Sequence, residues 1–297
     1  MQTFRPRFLV VIISSVILSA FAACSANQDT ANTTATTNVA PPPIQTLRVV
    51  PRPQKIVEMM NKRGRQDEAK PVVKIVSPAN EAVVNGSTVS VRLTLSGNLK
   101  GYKPYKDPAT GMGDHIHVVL DNEPYEAYYD LAHPFELKNV APGKHTLRVF
   151  ESRPWHEAYK NEGAFQMVSF TVKGNDDPLN FPSKKKDNNS QTSGEMDATR
   201  PLLTYSCPKG EYKGVESDPI MIDFWLSNAK LKGDGGEFRV RYIIDDDEPQ
   251  FLDYWEPIWL SGWLSAKHTV RLELLGPDKW PVKGDSNVTT REIRVVR

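Results

Sequence analysis

One short sequence pattern occurs twice in this chain, and the repetition limits the folds that the chain can adopt. Residues 142–149 read Pro-Gly-Lys-His-Thr-Leu-Arg-Val, and residues 264–272 read Leu-Ser-Ala-Lys-His-Thr-Val-Arg-Leu. Upstream of each copy an apolar stretch ends in an acidic residue, Asp121 in the first and Asp245 in the second. Such self-similarity is typical of repeated structural units. The sequence therefore predicts two domains of the same fold.

The segments around the repeated pattern have the periodicity of β-strands. Residues 87–95 alternate, with aliphatic side chains on one side and polar side chains on the other. Glycine, proline and asparagine separate several segments of this kind, and no long helical period interrupts them. Short strands joined by such turns are typical of an antiparallel β-sandwich. We therefore predict an all-β chain with two tandem immunoglobulin-like sandwich domains, at residues 71–173 and 201–297.

The stretch between the two predicted domains, residues 174–200, is polar and contains the basic run 184–186. We interpret it as a flexible linker, because it has little apolar surface to bury. The whole chain carries 37 Lys and Arg residues and 36 Asp and Glu residues. This balance argues against a protein that binds nucleic acid through its net charge.

The first 23 residues have the features of a bacterial export signal. Arg5 and Arg7 precede an almost wholly apolar stretch that is short for a membrane-spanning helix. The stretch ends Phe-Ala-Ala-Cys24, which resembles the lipobox of bacterial lipoproteins. That resemblance implies that a diacylglycerol is attached to the Cys24 thiol, and that Ser25 at the next position favours sorting to the outer membrane. The alternative is ordinary signal cleavage after Ala23, which leaves Cys24 free.

Residues 24–70 are expected to form a disordered tether. Their first part consists mainly of Ala, Asn, Thr and Pro, a composition that cannot form a packed core. Residues 56–65 carry a few apolar side chains among charges and suggest a short helix. Cys207 is the second of only two cysteines, so a modified Cys24 leaves it without a disulfide partner in the chain.

The most distinctive cluster of metal-ligating residue types is the His115-Ile-His117 segment. Residues i and i+2 of a strand share a face, so both imidazoles can approach one metal ion. The matching strand of the second copy has Arg239 and Arg241 at these positions. Because arginine is rarely buried without a partner, we expect this face to be accessible in both domains.

Sandwich topology brings further residues to the same end of the first domain. If the His115 strand and the 145–151 strand pair antiparallel, His115 lies near the loop that contains His156. We therefore identify His115, His117 and His156 as candidate ligands of zinc or copper. The other residues gathered there are candidates for a groove that binds a cell-envelope glycan or protein: Met112, Asp114, Trp155, Glu157 and Tyr159. Packing of loops without any site is the third interpretation.

The chain contains no nucleophile elbow, phosphate-binding loop, dinucleotide fingerprint or zincin motif. A hydrolase that uses Asp114, Glu151 or Glu157 near His115 remains an alternative. It lacks the spacing of a catalytic triad or of a carboxylate pair. We therefore expect no enzyme activity.

Several segments resemble known proteins. The Gly-Lys-His-Thr-Leu-Arg-Val-Phe segment at 143–150 is similar to a late strand of bacterial immunoglobulin-like and fibronectin-III-like modules. The segments 117–121, 153–157 and 161–165 are similar to exported proteins of uncharacterised function found in cyanobacteria. This resemblance covers nearly all of residues 72–297 and implies a fold and a location, but no activity.

Together these features predict a non-catalytic binding or structural module. The lipid on Cys24 would anchor it to a membrane of the cell envelope, with the outer membrane facing the periplasm or the cell surface as the expected place. No cofactor is required by this interpretation. The alternative is a lipoprotein that binds copper or zinc through the His-x-His strand.

Overall fold

The computed structural model describes residues 45–174 and 197–297. The predicted signal segment, Cys24 and the first part of the tether lie outside these ranges, as does most of the predicted linker 174–200. No helix among the described residues is long and apolar enough to span a membrane. The described residues belong to one compact unit, which contains two β-sandwiches.

Sandwich 1 consists of two sheets built from strands between residues 70 and 173. One sheet has the order β2-β4-β7 and the other the order β3-β9-β8-β5-β6. The strands are β2 Lys70–Ser77, β3 Ala82–Asn85, β4 Val89–Asn98, β5 His115–Leu120, β6 Glu126–Tyr128, β7 Phe135–Leu137, β8 Gly143–Ser152 and β9 Phe165–Lys173. All neighbouring strands pair antiparallel except β3 and β9, which pair in parallel.

Sandwich 2 repeats this topology between residues 202 and 296. Its strands are β10 Leu202–Cys207, β11 Gly210–Lys213, β12 Ile220–Ser227, β13 Arg239–Ile244, β14 Gln250–Leu252, β15 Ile258–Ser261, β16 Lys267–Leu275 and β17 Val288–Val296. The strand orders are β10-β12-β15 and β11-β17-β16-β13-β14, with β11 and β17 parallel. Short 3-10 turns lie at Gly214–Glu216, Lys232–Asp234 and Asp285–Asn287. The predicted all-β class with two tandem sandwiches is confirmed.

The N-terminal segment is part of the fold from Gln45 onward, because the Gln45 side chain bonds to Asp245 and Leu264. The disordered tether predicted for 24–70 is therefore wrong for this part, whereas the short helix predicted at 56–65 is present. Strand β1, Arg48–Val50, pairs antiparallel with β15 and extends that sheet of sandwich 2. Helix α1, Gln54–Arg63, follows, and a 3-10 turn spans Gly64–Glu68. The composition of this segment suggests that its backbone N–H and C=O groups bond to water, but pairing with β15 provides them with hydrogen-bond partners in the protein. We call residues 48–68 the N-terminal brace.

The repeated sequence pattern forms a hydrogen-bonded clasp in sandwich 1. Asp121 follows β5 with a φ of 53°, a left-handed conformation that aspartate tolerates better than most residues. Its Oδ1 accepts from the Thr146 backbone N–H at 2.9 Å, and its Oδ2 accepts from His145 Nδ1 at 2.8 Å. His145 Nε2 donates to the Ala141 carbonyl at 2.7 Å.

Sandwich 2 contains the same clasp. Asp245, with a φ of 52°, accepts from the Thr269 N–H at 2.8 Å and from His268 Nδ1 at 2.9 Å. His268 Nε2 donates to the Leu264 carbonyl at 3.0 Å. The Lys-His-Thr repeat therefore has a structural explanation. In each copy, the aspartate after one strand is hydrogen-bonded to the first residues of the strand that pairs with it.

The two sandwiches stack on each other. The β3-β9-β8-β5-β6 sheet of sandwich 1 lies against the β1-β15-β12-β10 sheet of sandwich 2, so that four sheets form successive layers. Apolar residues of both sheets form one buried cluster between them, which includes Phe150, Trp225 and Trp259. The strands β8, β10 and β12 are consequently buried on both faces along most of their length. We call this contact the central interface.

We expect Asp121→Asn to lower the pKa of His145 and to reduce stability. Burial alone would lower this pKa, but the hydrogen bond and the charge of Asp121 outweigh it and hold the pKa above its usual value of 6.5. The stabilisation from this pair is full below pH 6.5 and is lost as the pH rises through the raised pKa. The substitution should cost about 1–3 kcal/mol at pH 6 and less above the raised pKa.

NMR titration of the His145 ring and denaturant unfolding at pH 6 and pH 9 measure both effects. Asp130→Asn serves as the control, because the Asp130 side chain is 68% exposed and pairs with a histidine, His133, that is 81% exposed. An unchanged pKa of His145 in Asp121→Asn would show that the Asp121 carboxylate does not stabilise the protonated form of His145.

Candidate metal centre

The central interface covers the histidine face of β5. His115 and His117 are both 0% exposed, so the expectation of an accessible face is wrong. The two copies of the fold have different environments on this face. In sandwich 2 the equivalent side chains, Arg239 and Arg241, keep 31% and 27% of their surface and pair with Asp253 and Glu273 respectively. In sandwich 1 the face is in contact with the ring of Tyr125, with His156 and with Ser206 of β10.

Three imidazoles meet within this covered region. His115 Nε2 lies 2.9 Å from His117 Nε2 and 3.1 Å from His156 Nδ1. All three ligand nitrogens lie within 4.8 Å of one another. Two of these residues come from alternate positions of β5, and the third comes from the loop after β8. We call His115, His117 and His156 the histidine cluster.

The outward nitrogens of the two strand histidines have their own partners. His115 Nδ1 donates to the Gly113 carbonyl at 2.8 Å. His117 Nδ1 lies 3.2 Å from the hydroxyl oxygen of Ser206, which belongs to sandwich 2. The ring of Tyr125 stacks on the ring of His117 at 3.6 Å and 11°. Such outer hydrogen bonds orient metal-ligating histidines and set their tautomer.

The inward nitrogens cannot all be satisfied by neutral imidazoles. His115 Nδ1 carries a proton, because it donates a hydrogen bond to the Gly113 carbonyl. In the neutral ring, His115 Nε2 therefore has no proton and presents a single lone pair. Two other ring nitrogens approach that lone pair, and it can accept only one well-aligned hydrogen bond. A cation between the three nitrogens would use all three lone pairs at once.

The buried setting keeps the histidine cluster neutral. Burial is the main cause that lowers the pKa of His115 to about 3, with a further contribution from His156. Burial and the Lys209 ammonium lower the pKa of His156 to about 4. Burial and the neighbouring imidazoles also lower the pKa of His117 well below its usual value. Neutral imidazole is the form that binds metal ions.

Four of the five residues predicted to line a glycan or protein groove are buried, so these four do not line an open groove: Asp114, Trp155, Glu157 and Tyr159. Asp114 pairs with Arg63 at 2.8 Å. Glu157 pairs with Arg52 and accepts from the Trp155 indole N–H at 2.8 Å. In addition, Tyr159 accepts from Arg63 at 3.1 Å. The N-terminal brace thus occupies the predicted groove. Met112 lies in the loop before β5 and is partly buried.

The carboxyl groups considered for a hydrolase have separate structural surroundings. Asp114 and Glu157 are held by arginines of the N-terminal brace. Glu151 alternates with the histidine face and pairs in register with Ile116, on the side of the sandwich 1 core. Burial raises the pKa of Glu151 to about 8. None of these surroundings forms a recognisable catalytic pair.

Sequence reasoning missed the contribution of sandwich 2 to this region. Ser206 reaches His117, and Lys209 lies 3.8 Å above the Tyr125 ring that stacks on the same histidine. A signal was present in β12, whose sequence Ile-Met-Ile-Asp-Phe-Trp-Leu is almost continuously apolar. Such runs are typical of strands buried on both faces.

Neither the family models nor the curated proteins that were compared match this chain. Solved structures with similar folds include the fibronectin(III)-like modules of Clostridium thermocellum CbhA, with 11% identity, 76% of this chain and 94% of that chain covered, and a TM-score of 0.26. The glucan-utilisation protein SGBP-B of Bacteroides ovatus, solved with a mixed-linkage heptasaccharide, has 9% identity, coverage of 75% and 70%, and a TM-score of 0.22. The fibronectin-III array of RIM-binding protein has 9% identity, coverage of 77% and 61%, and a TM-score of 0.21.

We expect His117→Ala to destabilise the protein by about 2–4 kcal/mol, because it leaves a cavity beneath Tyr125 and removes the partner of Ser206. Urea unfolding followed by tryptophan fluorescence measures the loss. His133→Ala is the control, since the His133 side chain is 81% exposed and its removal should change stability little. Equal stabilities of the two variants would mean that the histidine face is open to solvent.

Proposed function

We propose that this chain is a non-catalytic metal-binding module, in which the histidine cluster holds one copper or zinc ion beside the central interface. The observation that carries the proposal is the convergence of three ring nitrogens within 4.8 Å. Imidazole is a good ligand for both ions. The proposed ligand atoms are His115 Nε2, His117 Nε2 and His156 Nδ1.

The hydrogen bonds around the cluster support this proposal. A ligating histidine usually donates its second ring N–H to an oxygen atom, which fixes the ring. Gly113 and Ser206 provide such oxygens for the two strand histidines. Since Ser206 belongs to sandwich 2, the site depends on the contact between the sandwiches as well as on β5.

The backbone of His156 also supports a ligand role. Its φ is 70°, in the left-handed region that costs a non-glycine residue about 1–3 kcal/mol. The surrounding loop maintains this conformation, because the His156 N–H donates to the Arg153 carbonyl and the Arg153 N–H donates to the Glu157 carbonyl, both at 2.9 Å. The conformation turns the His156 ring toward the other two. His156 is also the least buried of the three, so it offers the side from which an ion can enter.

We further propose that the Cys24 thioether anchors this module to a membrane of the cell envelope. The lipobox-like sequence before Cys24 is the basis for this part of the proposal. An acyl chain contributes about 0.8 kcal/mol per buried methylene to membrane binding.

The full chain should bind one metal ion, and the cluster variants should bind none. The protein is purified without an affinity tag, stripped with a chelator, reloaded with zinc or with copper under reducing conditions, and analysed by mass spectrometry of the elements. His115→Gln, His117→Gln and His156→Gln each remove one ligand and keep a polar side chain of similar size. His133→Gln is the matched control and should keep the metal. Since His156 is only partly buried, His156→Gln should remain folded by circular dichroism. Stoichiometric metal in a folded His156→Gln protein would contradict the proposal.

Cys24→Ser should abolish both lipid labelling and membrane retention, because a serine hydroxyl cannot form the thioether. Labelled-palmitate incorporation and membrane fractionation of cells that produce each protein measure the two effects. A wild-type protein that stays with the membrane without incorporating label would contradict anchoring at Cys24.

A further inference from the structure

We propose that the histidine cluster is selective for monovalent copper, Cu(I), over zinc and other divalent ions. This inference rests on the proposed metal-binding function and names the ion that the site prefers. Three features of the described residues carry it: the charge of the ligands, the position of Lys209, and the number of ligands available.

The cluster offers no negative charge to a metal ion. All three ligands are neutral imidazoles. The carboxylates next to them in sequence are already paired, Asp114 with Arg63 and Glu157 with Arg52. The cost of transferring an ion from water to a buried site rises with the square of its charge, so it is roughly four times larger for a divalent than for a monovalent ion. A buried site without carboxylates therefore favours the ion of lower charge.

Lys209 adds a positive charge next to the cluster. Its ammonium donates to the Tyr125 carbonyl and lies 3.8 Å from the centre of the Tyr125 ring, which stacks on His117. Its repulsion of a bound ion is twice as strong for a divalent ion as for a monovalent one, because Coulomb energy is proportional to the charge.

The number of ligands also fits Cu(I). Within the described ranges, the group of histidine, cysteine and acidic side chains that can hold an ion here consists of the three histidines alone. A zinc ion held by three histidines needs a water molecule as its fourth ligand, whereas Cu(I), with a filled d shell and low charge, is stable with two or three ligands and needs no water.

Cys207 does not provide a thiolate as a fourth ligand. It lies in the central interface, where its Sγ is 3.8 Å from the His156 carbonyl oxygen. Among the described residues, the side chains that converge as possible ligands are the three imidazoles, and the Cys207 thiol is not one of them. The nitrogen set has one central atom, His115 Nε2, flanked by the other two at 2.9 and 3.1 Å.

Competition titrations of the full chain test the inference. Cu(I) affinity is measured without oxygen against bicinchoninate, and Zn(II) affinity against a chromophoric zinc chelator. We expect Cu(I) to bind at least about tenfold more tightly than Zn(II), a difference of about 1.4 kcal/mol. Tighter binding of Zn(II) would overturn the selectivity and leave the proposed function intact, whereas binding of neither ion would overturn both.

Lys209→Met tests the charge argument, because methionine keeps the apolar stem and removes the ammonium. The variant should gain affinity for Zn(II) by a factor larger than its gain for Cu(I). Lys213→Met is the matched control, since Lys213 is 68% exposed and pairs with Glu211 on the edge strand β11. Equal gains for both ions in Lys209→Met, or the same change in Lys213→Met, would overturn the role of Lys209.

Discussion

The central interface, where a sheet of sandwich 1 packs on a sheet of sandwich 2, is the contact on which the rest of this structure depends. It places polar side chains in the interior, and each of them needs a partner there. Asp223 of β12 accepts from the Ala158 N–H at 2.8 Å and pairs with Lys160. Arg148 of β8 donates to Thr204 at 2.9 Å. Since breaking a buried ion pair costs about 3–5 kcal/mol, these contacts define how the two sheets fit together.

The N-terminal brace reinforces the same arrangement from outside. Its strand β1 belongs to a sheet of sandwich 2, whereas Arg52 and Arg63 pair with Glu157 and Asp114 of sandwich 1. Glu157 follows His156 directly, and Asp114 precedes His115 directly. The brace therefore holds the chain at both ends of the histidine cluster. The affinity for the proposed metal ion would therefore depend on the position of the brace.

The sequence alone predicted the strands, the duplicated fold and the three histidines as a group, because each depends on local periodicity or on pairing within one sandwich. It predicted the exposure of the histidine face wrongly. The comparison with Arg239 and Arg241 assumed that equivalent strands have equivalent surroundings. Their surroundings differ, since a second domain covers only the first copy. The burial of Asp114, Glu157 and Tyr159 was missed for a related reason: the brace, whose composition suggested disorder, pairs with them. Contacts between segments that are distant in sequence have little effect on the hydrophobic periodicity of either segment.

The histidine cluster links the fold to its proposed role. Two of the proposed ligands come from one strand, and the third comes from a loop held by buried ion pairs. The second sandwich provides a hydrogen bond to one of the strand histidines. A metal ion would thus stabilise the interface that builds its site, by binding only the folded arrangement.

X-ray absorption spectroscopy of the copper-loaded full chain is the sharpest test of the proposed site. We expect three nitrogen neighbours at about 2 Å, close to the length of a zinc–imidazole bond, with the multiple scattering of imidazole rings and no sulfur neighbour. A sulfur neighbour, or a shell of oxygen atoms without imidazole scattering, would contradict it.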